Sequence, residues 1–382
     1  MTALLTPEQK RDFVNRGFSR RTFGRIATML TAGAALPFYN ESALAQLSRV
    51  DAPADSVFIN SNENPLGPSP EAREAAKKMV DQGGRYLFGE AGKVRTLLAE
   101  QEGVKQSYVE VHAGSSAPLH QAVLAFCSPT KPFVAGDPGY EAGAKAATFI
   151  GAKTIRVPLM KDYAHDVKAM LAAAPDAGLF YICNPNNPTG TLTKRADIEW
   201  LVANKPAGSM VMIDEAYTHI AGADLFNTNL VAADKDVIVL RTFSKIYGMA
   251  GLRAGAAIAR PDILTKIVGF SPNGMMPITA MAAASASLQS KTLVPERRKS
   301  IGEVREDTLA FLEKHNFKCV PSVSNCFMVD VRRPGGEVQR ALVQEKVVIG
   351  RVWPAWPNHV RVTVGTPDEM NKFKAAFLKV MA

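Results

Sequence analysis

The chain has 382 residues, of which 47% are hydrophobic and 21% charged, with a formal net charge of +9. That is too long for one small core, and it points to about two domains; the composition is globular and excludes a disordered or fibrous protein. The positive charge is dispersed, with no basic run interleaved with aromatics, which argues against a nucleic-acid partner and leaves room for small anionic ligands.

The first 45 residues read as an address. They hold six basic residues against three acidic ones, Glu8, Asp12 and Glu41. Residues 19–25 read SRRTFGR, a weakly apolar stretch runs over 26–38, and Ala43-Leu44-Ala45 makes a small-x-small cleavage pattern ahead of Gln46. The apolar stretch is too short to span a bilayer as a permanent helix. Paired arginines ahead of a bulky apolar residue resemble a twin-arginine export signal; a basic amphipathic N-terminal helix is the plainer alternative. The signal implies the twin-arginine export machinery as a partner. It also implies a periplasmic or exported mature protein that folds, and loads any cofactor, in the cytoplasm.

Beyond it, short apolar runs at 109–112, 132–135, 154–157, 179–183, 210–213, 237–240 and 254–259 read as strands. Helix-length segments such as 117–127, 142–150 and 194–204 lie between many of them. The alternation predicts an α/β domain with a mainly parallel sheet, whose ligands gather beyond the carboxyl ends of the strands. The last hundred residues differ: a long helical region over 277–315 precedes strands near 325–331 and 360–364, which reads as a smaller α+β domain. Pro272-Asn273-Gly274 is a joint. The expected organisation is 1–45 signal, 46–80 an N-terminal segment joining the small domain, 81–275 large domain and 276–382 small domain. Cys127, Cys183, Cys319 and Cys326 show no C-x-x-C spacing, and no histidine pair completes a zinc site, so no metal is expected and buried thiols are.

The polar residues collect at strand ends. After 109–112 comes Ala113-Gly114-Ser115-Ser116, a small hydroxyl-rich turn into a helix, which is the form of an anion site. The run at 132–135 leads to Gly136-Asp137-Pro138-Gly139-Tyr140, and 179–183 to NPNNPTG over 184–190. The strand at 210–213 ends in Asp214-Glu215-Ala216-Tyr217, and 237–240 in Arg241-Thr242-Phe243-Ser244-Lys245. One sheet edge thus carries a lysine, an acid, an amide, two tyrosines, hydroxyls and an arginine. Pyridoxal phosphate uses that set: a lysine for an imine, an acid for its ring nitrogen, donors to its phenolic oxygen, a stacking aromatic and a phosphate cradle.

From about Asn60 to its end the chain resembles the class I/II aminotransferases of fold type I, and among them the histidinol-phosphate aminotransferase branch. The motifs are SNENPLGPSP (61–70), NPNNPTG (184–190), DEAY (214–217), SKIYGMAGLRAG (244–255) and VRVTVGT (360–366). The resemblance implies a large domain with a mostly parallel seven-stranded sheet, a smaller α+β domain, and a ping-pong transfer of an amino group between an amino acid and a 2-oxo acid. It implies Lys245 as the Schiff-base lysine and proton carrier, and Asp214 as partner of the pyridine nitrogen. Asn187 and Tyr217 would bond the phenolic oxygen, Tyr140 would stack on the ring, and Arg253, Ser244, Thr242, Ser115 and Ser116 would cradle the phosphate. Tyr86 resembles the tyrosine that reaches the neighbouring subunit's phosphate, which implies a homodimer with shared sites. Arg361 resembles the arginine that forks onto the substrate carboxylate, with Asn187 beside it, and Arg351 a second anion-binding arginine. Glu63 is a further candidate substrate contact. Trp353 and Trp356, in RVWPAWP, either line a broad side-chain pocket or form a packed loop.

The sequence departs from the branch in three ways: the export signal, a leading segment over 46–60 whose only aromatic is Phe58, and GSSAPLH where the branch has an acidic pair. The first speaks against histidine biosynthesis. A decarboxylase or oxidase of the same fold is the alternative chemistry, and a non-catalytic periplasmic binding module the alternative class. Arg361 favours transamination because it would hold the carboxylate instead of releasing it.

Overall fold

A computed structural model describes residues 7–19, 21–22, 24, 26, 40–46, 52–270 and 275–382. Eleven strands are named among them: β1 (Val57–Ile59), β2 (Val109–His112), β3 (Phe133–Asp137), β4 (Thr154–Pro158), β5 (Leu179–Cys183), β6 (Met210–Asp214), β7 (Val237–Thr242), β8 (Gly255–Ala259), β9 (Cys326–Asp330), β10 (Val347–Ile349) and β11 (His359–Thr363). β5, β6 and β7 are buried at every position. Near-continuous apolar runs of this kind suit strands covered on both faces.

Seven strands form one sheet in the order β2-β8-β7-β6-β5-β3-β4. β8 runs antiparallel to both of its neighbours, and the other pairings are parallel. This is the mostly parallel sheet expected. It brings the carboxyl ends of β2, β3, β5, β6 and β7 to one edge. Helices Ser116–Phe126, Ala142–Ile150 and Arg195–Asn204 follow β2, β3 and β5.

The last hundred residues build smaller pairings. β11 pairs antiparallel with β9, setting Arg361 opposite Met328, and β1 crosses to pair parallel with β10. The final helix, Pro367–Met381, opens with a capping box in which Thr366 and Glu369 satisfy each other's backbone N–H. The helical region 277–315 is two helices, Ile278–Gln289 and Leu293–Lys314, broken at Ser290-Lys291-Thr292. Pro295 is the physical reason: it lacks an N–H, so it fits the first turn of a new helix and not the middle of a long one.

Residues 27–38 of the apolar stretch, Arg20 and Arg25 of SRRTFGR, and the joint at 272–274 lie outside the described residues. Ahead of them, helix Pro7–Asn15 is followed by Arg16, whose Nη2 donates to the carbonyls of Leu124 (2.6 Å) and Cys127 (2.8 Å) at the end of helix Ser116–Phe126. A cation suits that helix end. Among the described residues no helix is long and apolar enough to cross a membrane. Cys127, Cys183 and Cys326 are buried thiols and Cys319 is half-buried.

A buried charge cluster clamps the sheet beneath its polar edge. Arg241 of β7 forks onto Glu102, with Nε and Nη2 each 2.7 Å from a carboxylate oxygen, and its Nη1 donates to Glu215. Its guanidinium lies 4.3 Å from the Phe226 ring centroid. Removing one partner of such a buried cluster costs about 3–5 kcal/mol, because a charge is left uncompensated. Glu215 and Asp214 are adjacent in sequence but serve different partners, since successive residues at a strand end face opposite ways.

Candidate active site

The strand ends converge on a cleft of about 300 Å³. Ser115, Ser116, Tyr140, Asn187, Asp214, Tyr217, Thr242, Ser244, Lys245 and Arg253 all line it, as does Glu63. Sequence-distant residues meet because the parallel strands deliver their following loops to the same edge.

Lys245 is 6% exposed. Its Nζ donates to the carbonyl of Asn62 at 2.8 Å and more weakly to that of Ser61 at 3.4 Å. Burial lowers its pKa from the ordinary lysine value; Glu41 opposes that shift and Arg361 adds to it. The neighbouring cation is therefore Arg361. Lys245 is held by neutral carbonyls, and among the described residues no carboxylate is hydrogen-bonded to it, which suits an amine that must spend time uncharged.

Asp214 ends β6. Its Oδ2 accepts from the Tyr181 hydroxyl at 2.8 Å and its Oδ1 from the Ala216 N–H at 3.2 Å. Burial raises its pKa, with those two hydrogen bonds and the charge of Lys245 acting against the rise. A carboxylate so placed is matched to a cationic partner inside the cleft. Tyr217 accepts from Asn62 Nδ2 at 2.9 Å, which leaves its own proton available to a ligand.

The far end is a basic cradle. Ser115 stands at the N-cap of helix Ser116–Phe126 without a side-chain cap bond, so helix N–H groups and hydroxyls face the cleft together. Thr242 Oγ1 lies 2.9 Å from Ser244 Oγ, and Arg253 Nη1 lies 3.4 Å from the same oxygen. Arg253 has φ 62, a left-handed conformation that costs a non-glycine residue about 1–3 kcal/mol and is kept where surroundings over-determine it. Gly114, with φ +87, must be glycine: a Cβ there would lie 2.1 Å from Arg253 Nη2. A lysine, an apposed acid, an aromatic and an anion cradle around one cleft of this volume fit pyridoxal phosphate.

The other end is a carboxylate clamp, and it is filled by the chain itself. Glu41 Oε1 accepts from Arg351 Nη1 at 2.8 Å and from Arg361 Nη2 at 2.7 Å; its Oε2 faces Asn187 Nδ2 at 3.4 Å. Burial alone would raise the Glu41 pKa, but Arg361 and Arg351 outweigh it and bring it to about 2. Arg361 is fully buried, with Nη1 on Asn187 Oδ1 at 2.9 Å and Nη2 also on the Asn60 carbonyl at 2.5 Å. Both expected anion-binding arginines therefore hold one carboxylate. Trp353 is not a pocket wall: it is 1% exposed, gives Nε1–H to the Gly139 carbonyl at 2.9 Å, and lies beneath Arg351 (4.6 Å) and Arg361 (5.3 Å). Trp356 packs edge-on against Tyr163 at 5.6 Å. RVWPAWP is the packed loop.

Tyr86 is the expected residue that its own cleft does not receive. It is 70% exposed and stacked on the equally exposed Phe88 at 5.7 Å. Sequence reasoning passed over Glu41, Tyr181, Asn62 and Glu141. A lone tyrosine in the apolar run LFYIC was a signal for Tyr181, since a buried hydroxyl needs a partner. Glu41 carried no local signal.

The sequence matches the family described as aminotransferase class I and II over residues 55–377. It is 32% identical to a histidinol-phosphate aminotransferase of Moorella thermoacetica over 91% of each chain. It is 32% identical to an aromatic amino acid aminotransferase of Rhodococcus jostii, over 84% of this chain and 89% of the relative. The crystal structure of histidinol-phosphate aminotransferase from Sinorhizobium meliloti in complex with pyridoxal-5'-phosphate superposes with a TM-score of 0.80 at 25% identity, over 93% of this chain and 97% of that one.

Proposed function

The chain belongs to the class I and II aminotransferases, and on that premise we propose which residues perform the reaction, on what substrate, and where. It is a transaminase of fold type I that uses pyridoxal phosphate and moves an amino group between an amino acid and a 2-oxo acid. The observation that carries the site assignment is the buried Lys245 between an acid at the sheet edge and a clamp already holding a carboxylate.

When bound, pyridoxal phosphate supplies an aldehyde for the substrate amine and a ring that accepts electrons as the Cα–H bond breaks. The residues do the rest. Ser115, Ser116, Thr242, Ser244 and Arg253 would hold its phosphate, and Tyr140 would contribute the aromatic face. Asp214, steadied by Tyr181, would partner its ring nitrogen. Asn187 Nδ2 and the free proton of Tyr217 would donate to its phenolic oxygen. Lys245, neutral in part because it is buried, takes the proton from the substrate Cα and returns it across the cleft. Arg361 Nη2 and Arg351 fix the substrate carboxylate together, with Asn187, bonded to Arg361 Nη1, joining the clamp to the cofactor end. Holding the carboxylate in this way favours proton transfer over its loss as carbon dioxide.

Two outcomes check the clamp. Arg361→Lys lowers kcat/KM for an amino acid by about 10²-fold, mostly through KM, because a point charge replaces a planar fork in a buried site. Unchanged kinetics would remove Arg361 from the clamp. In the full chain a substrate carboxylate must also displace Glu41. Glu41→Gln therefore lowers the apparent KM roughly tenfold, as more of the protein stands open; an unchanged or raised KM would contradict that competition.

We also propose a homodimer and an exported enzyme. The exposed Tyr86–Phe88 pair supports the first, as an aromatic aimed away from its own cleft. The motif SRRTFGR and the pattern ahead of Gln46 support the second, with the twin-arginine machinery as carrier. Cell fractionation of the wild type against the Arg20→Lys, Arg21→Lys double variant tests it. Retention of only the variant in the cytoplasm is expected, and equal distribution would overturn the export reading.

A further inference from the structure

The clamp holds a third charged residue. Glu141 forks onto Arg351 from the side opposite Glu41's bond to Nη1: Arg351 Nε lies 3.0 Å from Glu141 Oε1 and Nη2 lies 2.7 Å from Oε2. Glu141 stands at the N-cap of helix Ala142–Ile150, yet its carboxylate caps no N–H there. Its acceptor capacity is given to the arginine instead. The arrangement is held from below, because Trp353 lies under both guanidiniums and is tied by its indole N–H to Gly139, two residues before Glu141.

The charges of this cradle can be counted. Arg351 and Arg361 bring two positive charges and Glu141 brings one negative charge that stays with the fold. One positive charge remains, and in the full chain the single carboxylate of Glu41 meets it, bridging both arginines through Oε1 while Oε2 accepts from Arg351 Nη2 at 3.3 Å. Arg361 is fully buried and Arg351 is 8% exposed. Little water is present to screen a mismatch, so a surplus anion costs more here than at a surface.

We propose that Glu141 sets the head-group specificity of this site: by neutralising Arg351 it matches the clamp to a monoanionic α-carboxylate and against a phosphate dianion. The inference rests on the amino-acid clamp described under the proposed function and narrows it. A phosphate dianion in place of the Glu41 carboxylate would leave the cradle one charge negative and face Glu141 directly. The substrate class is then an α-amino acid, and an amino alcohol phosphate such as histidinol phosphate is refused. Repulsion by a resident charge is a common route to discrimination between ligands of similar shape.

The test compares head groups on a common body. The full-length holoenzyme is titrated calorimetrically with 3-phenylpropanoate and with 2-phenylethyl phosphate, for the wild type, Glu141→Gln and Glu141→Ala. Turnover of histidine and of histidinol phosphate is measured beside it. The wild type prefers the carboxylate, and both variants shift the carboxylate-to-phosphate ratio toward phosphate by about tenfold or more. Because the ratio is taken on one protein sample, partial loss of folded protein in a variant cancels. A wild type that binds the phosphate more tightly, or a ratio unmoved in both variants, would overturn the proposal. A wild type that turns over no α-amino acid would instead overturn the function proposed above, while the binding ratio would still decide the role of Glu141.

Discussion

Lys245→Ala leaves a folded protein whose transamination is lowered by about 10⁴-fold or more, since both covalent capture and proton transfer are lost with one side chain. The structural part of the loss is small by comparison. Lys245 Nζ bonds the carbonyls of Asn62 and Ser61 and lies 5.6 Å from the Tyr217 ring centroid, and its removal takes a buried cation out of a site where burial already disfavours that charge. Thermal unfolding of the variant therefore stays close to that of the wild type while turnover disappears. The cofactor should still bind, because its cradle at Ser115, Ser116, Thr242, Ser244 and Arg253 is untouched. Small primary amines added to the variant restore part of the proton transfer. A variant that keeps more than a tenth of the wild-type rate would show that another group carries the proton.

Asp214→Asn is expected to lower kcat by about 10³-fold, the effect of about 4 kcal/mol from a buried ionic partner lost as charge develops. Stability should move the other way. The folded pKa of Asp214 is raised by burial. A group with a raised folded pKa favours the fold below its unfolded pKa, and that contribution is lost as pH rises through the folded value. Above the unfolded pKa the cofactor-free protein thus carries the cost of a buried Asp214 whose charge burial disfavours, a cost that asparagine avoids. The cofactor-free variant is expected to unfold at an equal or higher temperature than the wild type at pH 7, with the difference shrinking in acid. A variant both fully active and less stable would contradict the assignment.

Much of the cofactor end was legible in the sequence because its determinants are local. Strand, turn and polar residue follow one another within a few positions at 113–116, 184–190, 214–217 and 242–245, and parallel pairing does the rest. The clamp was half legible. Arg361 and Arg351 were visible through motif spacing, but the carboxylates that meet them come from elsewhere: Glu41 lies 320 positions from Arg361, and Glu141 lies 210 from Arg351. No periodicity or turn chemistry encodes a contact at that separation. Glu41 was moreover read only as one of three acids in an address segment. The Glu102–Arg241–Glu215 cluster escaped for the same reason, since Arg241 resembled one more polar residue at a strand end. Trp353 illustrates a different difficulty. Tryptophans between prolines suit a pocket wall and a packed floor equally, and only the Gly139 carbonyl and the two guanidiniums decide for the floor.

The central claim is that Lys245, Asp214 and the arginine clamp form a transaminating site. The most direct test is the visible absorbance of the purified full-length protein loaded with pyridoxal phosphate. It is followed as a single α-amino acid is added and then a 2-oxo acid. The account predicts a band that depends on Lys245, bleaches with the amino acid and returns with the 2-oxo acid, with no carbon dioxide or peroxide released. A protein that takes up no cofactor, or a band that persists through both additions, would contradict it.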